Sequence, residues 1–293
     1  MHVAVCIQSA HNEVYQQKMR WFAEGVSDAC NVVQWTSLPD DHKKYVPVIY
    51  GSVKKNRSAA HHKIKSQVFD HGRPFVMLET PLVHRRADTI DHGWLRVGIN
   101  GFLWDDAKWG FEHMDLSRNI VQPIEWRKNG EHILILMQNP GDASLRGADI
   151  FEWTENTVTE LRKHTDRPIR IRPHPLPNKQ NRLEQLRQKL KDVTFVENKL
   201  PDKLRPLTED FKNCWCVVTY SSGSSVDAVM AGIPNIACDP GNMAWSISSK
   251  NLSMIEQPYT GDTKLWEQQI SHCQFSVEEL RNGTCWNHIR QSL

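Results

Sequence analysis

Short runs of apolar and β-branched residues alternate with amphipathic stretches along this chain, and the alternation starts twice. In the first half, residues 2–7 favour a strand. Tyr15, Met19, Phe22 and Val26 then follow at spacings of 4, 3 and 4, which place them on one face of a helix. Strands that alternate with helices are typical of a parallel sheet covered on both faces. The sequence therefore predicts an α/β fold.

The other elements of both halves follow from the same periodicities. In the first half we expect strands at 32–35, 46–50, 74–78 and 95–99 and a helix at 58–69. In the second half we expect strands at 132–137, 168–172, 193–196, 216–219 and 235–238 and helices at 150–164, 183–190, 204–213 and 224–230. The tail at 263–289 is predicted to be helical with a break at Gly283.

A polar, tryptophan-rich stretch at 102–131 separates the two patterns, and a length of 293 residues also favours two domains. We place one Rossmann-like domain at 1–125, a second at 126–270, and a helical tail at 271–293 that returns to the first domain.

Composition excludes several classes of protein. The chain carries 36 Lys and Arg against 34 Asp and Glu, and 24% charged residues is usual for a globular protein. No apolar run approaches the roughly 18 residues of a membrane span. The first residues show no basic region or cleavage site of a secretory signal, so we expect none, and the seven scattered cysteines favour a reducing compartment. We therefore expect a cytoplasmic protein with no membrane partner.

Missing motifs narrow the choice further. The chain contains no G-x-G-x-x-G after a predicted strand and no G-x-x-x-x-G-K-[ST], so the fingerprints of dehydrogenases and P-loop enzymes are absent. It also lacks H-E-x-x-H, paired Cys/His spacings and D-x-D. We expect no protein-held metal.

The predicted strand at 168–172 ends in the segment Arg-Pro-His-Pro at 172–175. This places Arg172 and His174 at the carboxyl edge of the sheet. Arginine can pair with a phosphate through two parallel hydrogen bonds, and histidine can donate a hydrogen bond or a proton to a phosphate leaving group. A loop histidine that only satisfies nearby carbonyls is the alternative.

A serine-rich turn follows the predicted strand at 216–219 and opens the helix at 224–230. Small hydroxyls and a glycine let backbone N–H groups approach an anion closely, and a helix start favours negative charge. An ordinary serine N-cap would explain one of these residues but not four serines around a glycine. The turn comprises Ser221, Ser222, Gly223, Ser224 and Ser225.

A third loop, which follows the strand at 132–137, contains Gln138, Gly141, Ser144 and Gly147 and leaves room for a diphosphate. Taken alone it is a weak motif. Its position after a parallel strand places it at the same sheet edge as the other two loops.

Residues 132–240, with His-Pro at 174–175, the double serine at 221–222 and the helix-Gly-x-Pro ending at Pro234, resemble the donor half of GT-B glycosyltransferases with HP and SS motifs. The resemblance implies two Rossmann-like domains facing each other across a cleft, with the second binding a nucleotide sugar. A UDP-sugar is the favoured co-substrate, and no tightly bound cofactor is implied. It also implies phosphate contacts from His174, Ser221 and Ser222, with Ser224 and Ser225 less directly matched.

The first domain should then hold the acceptor and a base. Glu79 directly follows the predicted strand at 74–78, where a carboxylate can accept the proton of an acceptor hydroxyl. An ion pair with Arg85 or Arg86 is the alternative interpretation of Glu79. Asp106, with its neighbour Asp105, is the second candidate.

The combination of Glu-Thr-Pro at 79–81, the Arg pair at 85–86 and G-x-N-G around Asn100 is similar to glycosyltransferase-like proteins of bacteriophages, several of which modify hydroxymethylated pyrimidines in DNA. Residues 47–87 carry eight Lys and Arg against two acids, a local charge of +6 that suits a polyanion. The candidate acceptor residues are Lys54, Lys55, Arg57, Lys63, Arg85, Arg86 and Asn100.

The leading hypothesis is a monomeric enzyme that transfers a sugar from a nucleotide sugar to a hydroxymethylpyrimidine in DNA, in the host cytoplasm if it is phage-encoded. Three alternatives stay open. The acceptor could be a surface or capsular saccharide, the protein could bind a nucleotide or nucleic acid without catalysis, or it could be a nucleotide-sugar epimerase.

Overall fold

A computed structural model describes residues 1–7, 13–26, 30–35, 37–51, 60–84, 93–175, 179–198 and 204–293. The strands are β1 (His2–Cys6), β2 (Cys30–Val33), β3 (Tyr45–Tyr50), β4 (Val76–Glu79), β5 (Trp94–Ile99), β6 (His132–Leu136), β7 (Ile169–Arg172), β8 (Thr194–Phe195), β9 (Cys214–Thr219), β10 (Asn235–Ala237) and β11 (Gln274–Ser276). The helices are α1 (Glu13–Val26), α2 (Ala60–Asp70), α3 (Ile150–Leu161), α4 (Gln180–Lys189), α5 (Leu207–Asp210), α6 (Ser224–Met230), α7 (Lys264–His272), α8 (Val277–Arg281) and α9 (Thr284–Ile289).

The chain folds into two compact units, each with a parallel-rich sheet and helices. Unit 1 comprises Met1–Phe102, Asp106–Val121 and Glu267–Leu293, and unit 2 comprises Leu103–Asp105 and Gln122–Trp266. The predicted mixed α/β class is thus confirmed.

The sheet of unit 1 has the strand order β11-β5-β4-β3-β1-β2 in the described residues. Strands β1 to β4 are parallel, as predicted, with β1 between β2 and β3. The expectation of a wholly parallel sheet is wrong for β5, which runs antiparallel to β4 with Val76 opposite Ile99 and Glu79 opposite Arg96. Side-chain periodicity is the same in both strand directions, so it could not reveal this reversal.

Helix α1 lies on the sheet of unit 1 through the predicted face. Met19, Phe22 and Val26 are buried in the core, and Tyr15 packs against its edge. The core also includes Trp286 of α9, whose ring meets that of Phe22 edge to face at 6.2 Å between centroids. The apolar face predicted for this helix is therefore confirmed.

The tail differs from the prediction of a helix broken only at Gly283. It contains β11, which pairs antiparallel with β5 through Phe275 opposite Leu95. Ser276 then begins α8 with a capping box, in which its hydroxyl accepts from Glu279 N and the Glu279 carboxylate accepts from Ser276 N. A three-residue strand is too short to show a periodicity, and its hydrogen bonds come from a partner far away in sequence.

The sheet of unit 2 is fully parallel in the described residues, with the order β10-β9-β6-β7-β8. The strands predicted for this half are confirmed. The helix expected at 204–213 is shorter, since only Leu207–Asp210 is helical. Strand β6 lies at the centre, and all five of its residues are buried. This order places β6 and β9 side by side although they are not consecutive in the chain.

Replacing Gly25 in α1 with Ala should lower the stability of unit 1. An added Cβ would overlap the carbonyl oxygen of Leu280 in α8. Alanine gains about 1 kcal/mol over glycine in a helix interior, whereas overpacking costs about 1–3 kcal/mol. Because the atom in the way is rigid backbone, the cost lies at the upper end of that range, and we expect Gly25→Ala to lose about 2 kcal/mol net, seen as a lower Tm in calorimetry.

Gln17→Ala is the matched control, since Gln17 lies on the exposed side of the same helix. It should change stability by no more than about 0.5 kcal/mol. A higher Tm for Gly25→Ala would mean that helix propensity outweighs the contact with α8.

Candidate functional site

The candidate site lies at the carboxyl edge of the sheet of unit 2, where β6 and β9 end. The chain leaves β6 towards β7 on one side, and β9 continues towards β10 on the other. Neighbouring parallel strands whose connections diverge leave a crevice between the loops that follow them, and ligands of open α/β sheets bind there. Gln138 follows β6 and Ser221 follows β9.

The amide of Gln138 joins these two loops. Its Nε2 donates to Ser144 Oγ at 2.7 Å and to Ser221 Oγ at 3.1 Å, and its Oε1 accepts from Ser221 N at 2.9 Å. Ser221 Oγ in turn donates to the carbonyl of Ser144 at 2.6 Å. Ser144 Oγ donates to Asp142 Oδ1 at 2.7 Å. The predicted donor-binding residues Gln138, Ser144 and Ser221 therefore bind one another.

The serine-rich turn divides into buried and accessible residues. Ser221 is 3% exposed and Ser225 is fully buried. Ser222, Gly223 and Ser224 are partly exposed. Ser222 Oγ accepts from Ser224 N at 3.2 Å, which leaves the proton of its own hydroxyl for another acceptor. The accessible hydrogen-bond donors of the turn thus belong to its middle three residues.

The loop after β6 leaves space for a ligand next to its backbone. Gly141 has φ +77° and Gly147 has φ +91°, and an added Cβ at either position would meet no atom of the described residues within 4 Å. Both glycines are needed for their left-handed conformation, and both present backbone to open space. This is the arrangement expected of a loop that a phosphate can approach.

His174 follows β7 and comes close to the loop after β6. Burial lowers the pKa of its imidazole below the usual value of 6.5, and the nearby Asp142 carboxylate partly opposes this shift. Asn198 holds the backbone of this turn, because its amide donates to the carbonyl of Pro173. The imidazole is therefore a neutral hydrogen-bonding group at neutral pH.

Arg172, which was expected to bind phosphate, is directed elsewhere. Its guanidinium pairs with Asp210, which is 1% exposed, and donates to the carbonyl of Arg205 at 2.6 Å. Arg205 also pairs with Asp210 at 3.0 Å. These contacts of Arg172 tie the end of β7 to α5, and within the described residues none of its hydrogen bonds or ion pairs is with the serine-rich turn.

Glu79 lies in unit 1, at the carboxyl edge of its sheet. Its Oε1 accepts from Thr80 N at 2.8 Å and from Thr80 Oγ1 at 3.2 Å. Tyr50, at the end of β3, stacks on Tyr15 with 4.3 Å between ring centroids. Burial and the charge of Glu79 raise the pKa of both phenols. The carboxylate of Glu79 and the two tyrosines therefore lie close together at the sheet edge of unit 1.

The other predicted residues of unit 1 have structural contacts or lie outside the described ranges. Asp106 Oδ1 accepts from Phe102 N at 2.9 Å. Asn100, with φ +65°, accepts from Phe75 N at 3.0 Å and shapes the turn after β5. Lys63 is exposed on α2. Outside the described residues lie Lys54, Lys55, Arg57, Arg85 and Arg86.

Sequence reasoning missed the turn after β10, which borders the same edge of unit 2. Asp239 accepts from Gly241 N at 2.8 Å and pairs with Arg146 at 3.6 Å. Arg146 also pairs with Asp105, the neighbour of a predicted candidate. Asn242 contacts the serine-rich turn. Asp-Pro-Gly-Asn directly after a buried strand is a turn signature that could have drawn attention to these residues.

The described residues contain neither a membrane-spanning helix nor a cluster of metal ligands. No helix there combines the length and apolar character needed to cross a bilayer. No group of three or more His, Cys, Asp and Glu residues is arranged there as metal ligands.

No model of a known protein family matches the chain, and no curated protein matches its sequence. Its fold is similar to solved structures of KpsC from Thermosulfurimonas dismutans. The beta Kdo 2,4 transferase superposes with a TM-score of 0.57 at 16% identity, over 92% of this chain and 90% of that one. The beta Kdo 2,7 transferase gives a TM-score of 0.51 at 12% identity over 100% of both chains. The likeness at these identities is one of fold.

The imidazole of His174 should titrate below pH 6.5, and Asp142→Asn should lower its pKa further because that substitution removes the opposing charge. The measurement is an NMR titration of labelled histidines, with the His174 signal assigned by its loss in His174→Ala. Since its pKa is lower folded than unfolded, the contribution of His174 to stability is present above pH 6.5 and lost as the pH falls below it.

Asp166→Asn provides the control, because Asp166 is exposed in the same unit and precedes β7 rather than following it. It should leave the titration of His174 unchanged. An equal effect of both substitutions would contradict the proximity of Asp142 to His174.

Proposed function

We propose that this protein is a GT-B glycosyltransferase that transfers a sugar from a nucleotide sugar to a hydroxyl of a saccharide. The observation that carries the proposal is the Gln138 amide, which joins the loops after β6 and β9 at the ligand-binding edge of unit 2. His174 lies close to Asp142, which belongs to the loop after β6. The fold similarity to two Kdo transferases supports this class of enzyme.

In this proposal unit 2 binds the donor. Ser222 Oγ, Gly223 N and Ser224 Oγ offer neutral hydrogen-bond donors to a phosphate of the nucleotide, and Gly141 lets backbone approach it. Ser221, Ser225, Gln138 and Ser144 fix the loops. As the bond from the anomeric carbon to the phosphate oxygen breaks, its electron pair moves to that oxygen, and the His174 imidazole donates a hydrogen bond to it.

Unit 1 would hold the acceptor and the base. The carboxylate of Glu79, whose Oε1 accepts from Thr80, takes the proton of the acceptor hydroxyl. The acceptor oxygen then forms its bond to the anomeric carbon. Glu79 is preferred to Asp106 because it ends a strand, whereas Asp106 is exposed and accepts from the backbone of a turn. Asp106 remains the second candidate for the base.

The saccharide acceptor is preferred to DNA because of the two similar structures. Both are described as beta Kdo transferases, and neither is described as an enzyme that modifies DNA. The charge of +6 over residues 47–87 remains the one observation in favour of a polyanionic acceptor.

His174→Ala should lower the rate of sugar transfer by about 10²–10⁴-fold, the range for loss of a positioned acid or hydrogen-bond donor. The assay uses the full chain with UDP-hexoses and CMP-Kdo as donors and follows release of the nucleotide. His164→Ala is the matched control, since His164 is a partly exposed histidine of unit 2 that pairs with Glu160. Full activity of His174→Ala would remove His174 from the mechanism.

Glu79→Gln should reduce transfer by about 10²–10⁴-fold while nucleotide binding stays unchanged, because it removes only the base. Glu278→Gln, an exposed substitution in α8 of the same unit, should leave transfer unchanged. If Asp106→Asn lost transfer while Glu79→Gln stayed active, Asp106 rather than Glu79 would be the base.

The same assay decides the acceptor when it is run with oligosaccharides in one arm and with DNA containing hydroxymethylcytosine or hydroxymethyluracil in the other. The product masses should show sugar added to a saccharide. Sugar added only to the modified bases would establish the DNA hypothesis instead, and nucleotide binding without transfer to any acceptor would favour a non-catalytic protein.

A further inference from the structure

One buried amide outside the predicted site reaches the serine-rich turn. Asn242 lies in the turn after β10 and is 0% exposed. Its Nδ2 donates to Thr219 Oγ1 at 2.8 Å and to the carbonyl of Tyr220 at 2.9 Å. Its Oδ1 accepts from Ser225 Oγ at 2.7 Å and from Ala244 N at 2.9 Å. All four hydrogen-bonding positions of the amide are therefore used.

The orientation of this amide is fixed by its backbone partners. A carbonyl oxygen can only accept and a backbone N–H can only donate, so Tyr220 must face Nδ2 and Ala244 must face Oδ1. A flipped amide would place donor against donor and acceptor against acceptor in a buried setting, where each unsatisfied group costs about 1–3 kcal/mol. Asn242 is consequently held in one arrangement.

The partners of Asn242 lie on both sides of the accessible part of the turn. Thr219 and Tyr220 precede it, and Ser225 follows it. On the opposite side, Gln138 holds Ser221 through its backbone N–H and its hydroxyl. The two amides thus fix both ends of a turn whose middle residues, 222–224, are partly exposed.

We infer that Asn242 is a positioning residue for the phosphate-binding turn, which it holds at Tyr220 and Ser225 so that residues 222–224 can bind a phosphate of the donor. The identity of the ligand, a donor phosphate, rests on the proposed function. The fixing of the turn by Asn242 does not depend on that function. Asn242 itself is fully buried, so its effect on a nucleotide must pass through the turn.

The chain supplies a matched control for Asn242. Asn235 is also 0% exposed and belongs to the same polar cluster. Its Oδ1 accepts from Thr219 Oγ1 at 3.0 Å, and its Nδ2 donates to Ser248 Oγ at 2.9 Å. None of its side-chain hydrogen bonds in the described residues reaches 220–225. Asn235→Ala therefore removes a buried amide of the same kind without releasing the turn.

A second pair of substitutions is milder and remains informative if the asparagine variants fail to fold. Ser225 is fully buried, and its single hydroxyl proton is shared between two acceptors, Asn242 Oδ1 at 2.7 Å and the carbonyl of Ser222 at 2.8 Å. Ser248 is 5% exposed, and its hydroxyl donates to the carbonyl of Ala244 at 2.7 Å. Ser225→Ala loosens the turn, whereas Ser248→Ala removes an equally small hydroxyl from the other side of the cluster.

The experiment measures three quantities on each full-length variant: Tm, amide hydrogen exchange of residues 222–224 without ligand, and the KM for the nucleotide sugar beside that for the acceptor. Asn242→Ala and Ser225→Ala should exchange about tenfold faster in the turn and raise the donor KM about five- to tenfold, with the acceptor KM unchanged. Asn235→Ala and Ser248→Ala should lose comparable Tm without either effect.

Equal exchange and equal kinetics in the two pairs at similar Tm would overturn the inference and leave Asn242 a purely structural residue. Failure of the proposed function looks different. A wild-type protein that neither binds nucleotide nor transfers sugar would refute that function, while the exchange difference between the pairs would still decide whether Asn242 holds the turn.

Discussion

The hydrogen bonds of the Gln138 amide determine the geometry of the candidate site. Because β6 and β9 are adjacent and parallel, the loops after them leave the sheet side by side, and in the described residues no backbone–backbone hydrogen bond joins 138–147 to 220–225. Gln138 is 6% exposed, so its amide must find partners within the protein. It finds them on both sides of the crevice, in Ser144 and Ser221. The spacing of the two loops is thereby fixed by side-chain chemistry.

Sequence alone predicted the strands that carry the site but not the use of its serines. Apolar runs located β6, β7 and β9 to within two residues of their observed ends, and a loop that follows a parallel strand must lie at the carboxyl edge. Ser221 and Ser222, however, have the same side chain and adjacent positions. Only the fold shows that the first hydroxyl is bound to Gln138 and Ser144, while the second is partly exposed.

The direction of two strands, β5 and β11, could not be predicted from the sequence either. The residue pattern of β5 is the same in either direction, and β11 has only three residues. The sequence of neither strand therefore indicates that it runs antiparallel. Direction is decided by tertiary contacts instead. Arg118 pairs with Glu279 at 2.7 Å and donates to the carbonyl of Gln274 at 3.0 Å, which attaches β11 and α8 to the rest of unit 1.

Arg172 and His174 show how two residues of one motif acquire different tasks. Arg172 is the last residue of β7, and its guanidinium is 10% exposed beside Asp210. Removing Asp210 would leave the buried guanidinium of Arg172 without its carboxylate, which typically costs about 3–5 kcal/mol, so this pair anchors the strand end. His174 lies two residues beyond the anchored end and stays close to Asp142. The buried ion pair thus holds in place the turn that carries the neutral imidazole of His174. The accessible polar groups of residues 222–224 are also uncharged.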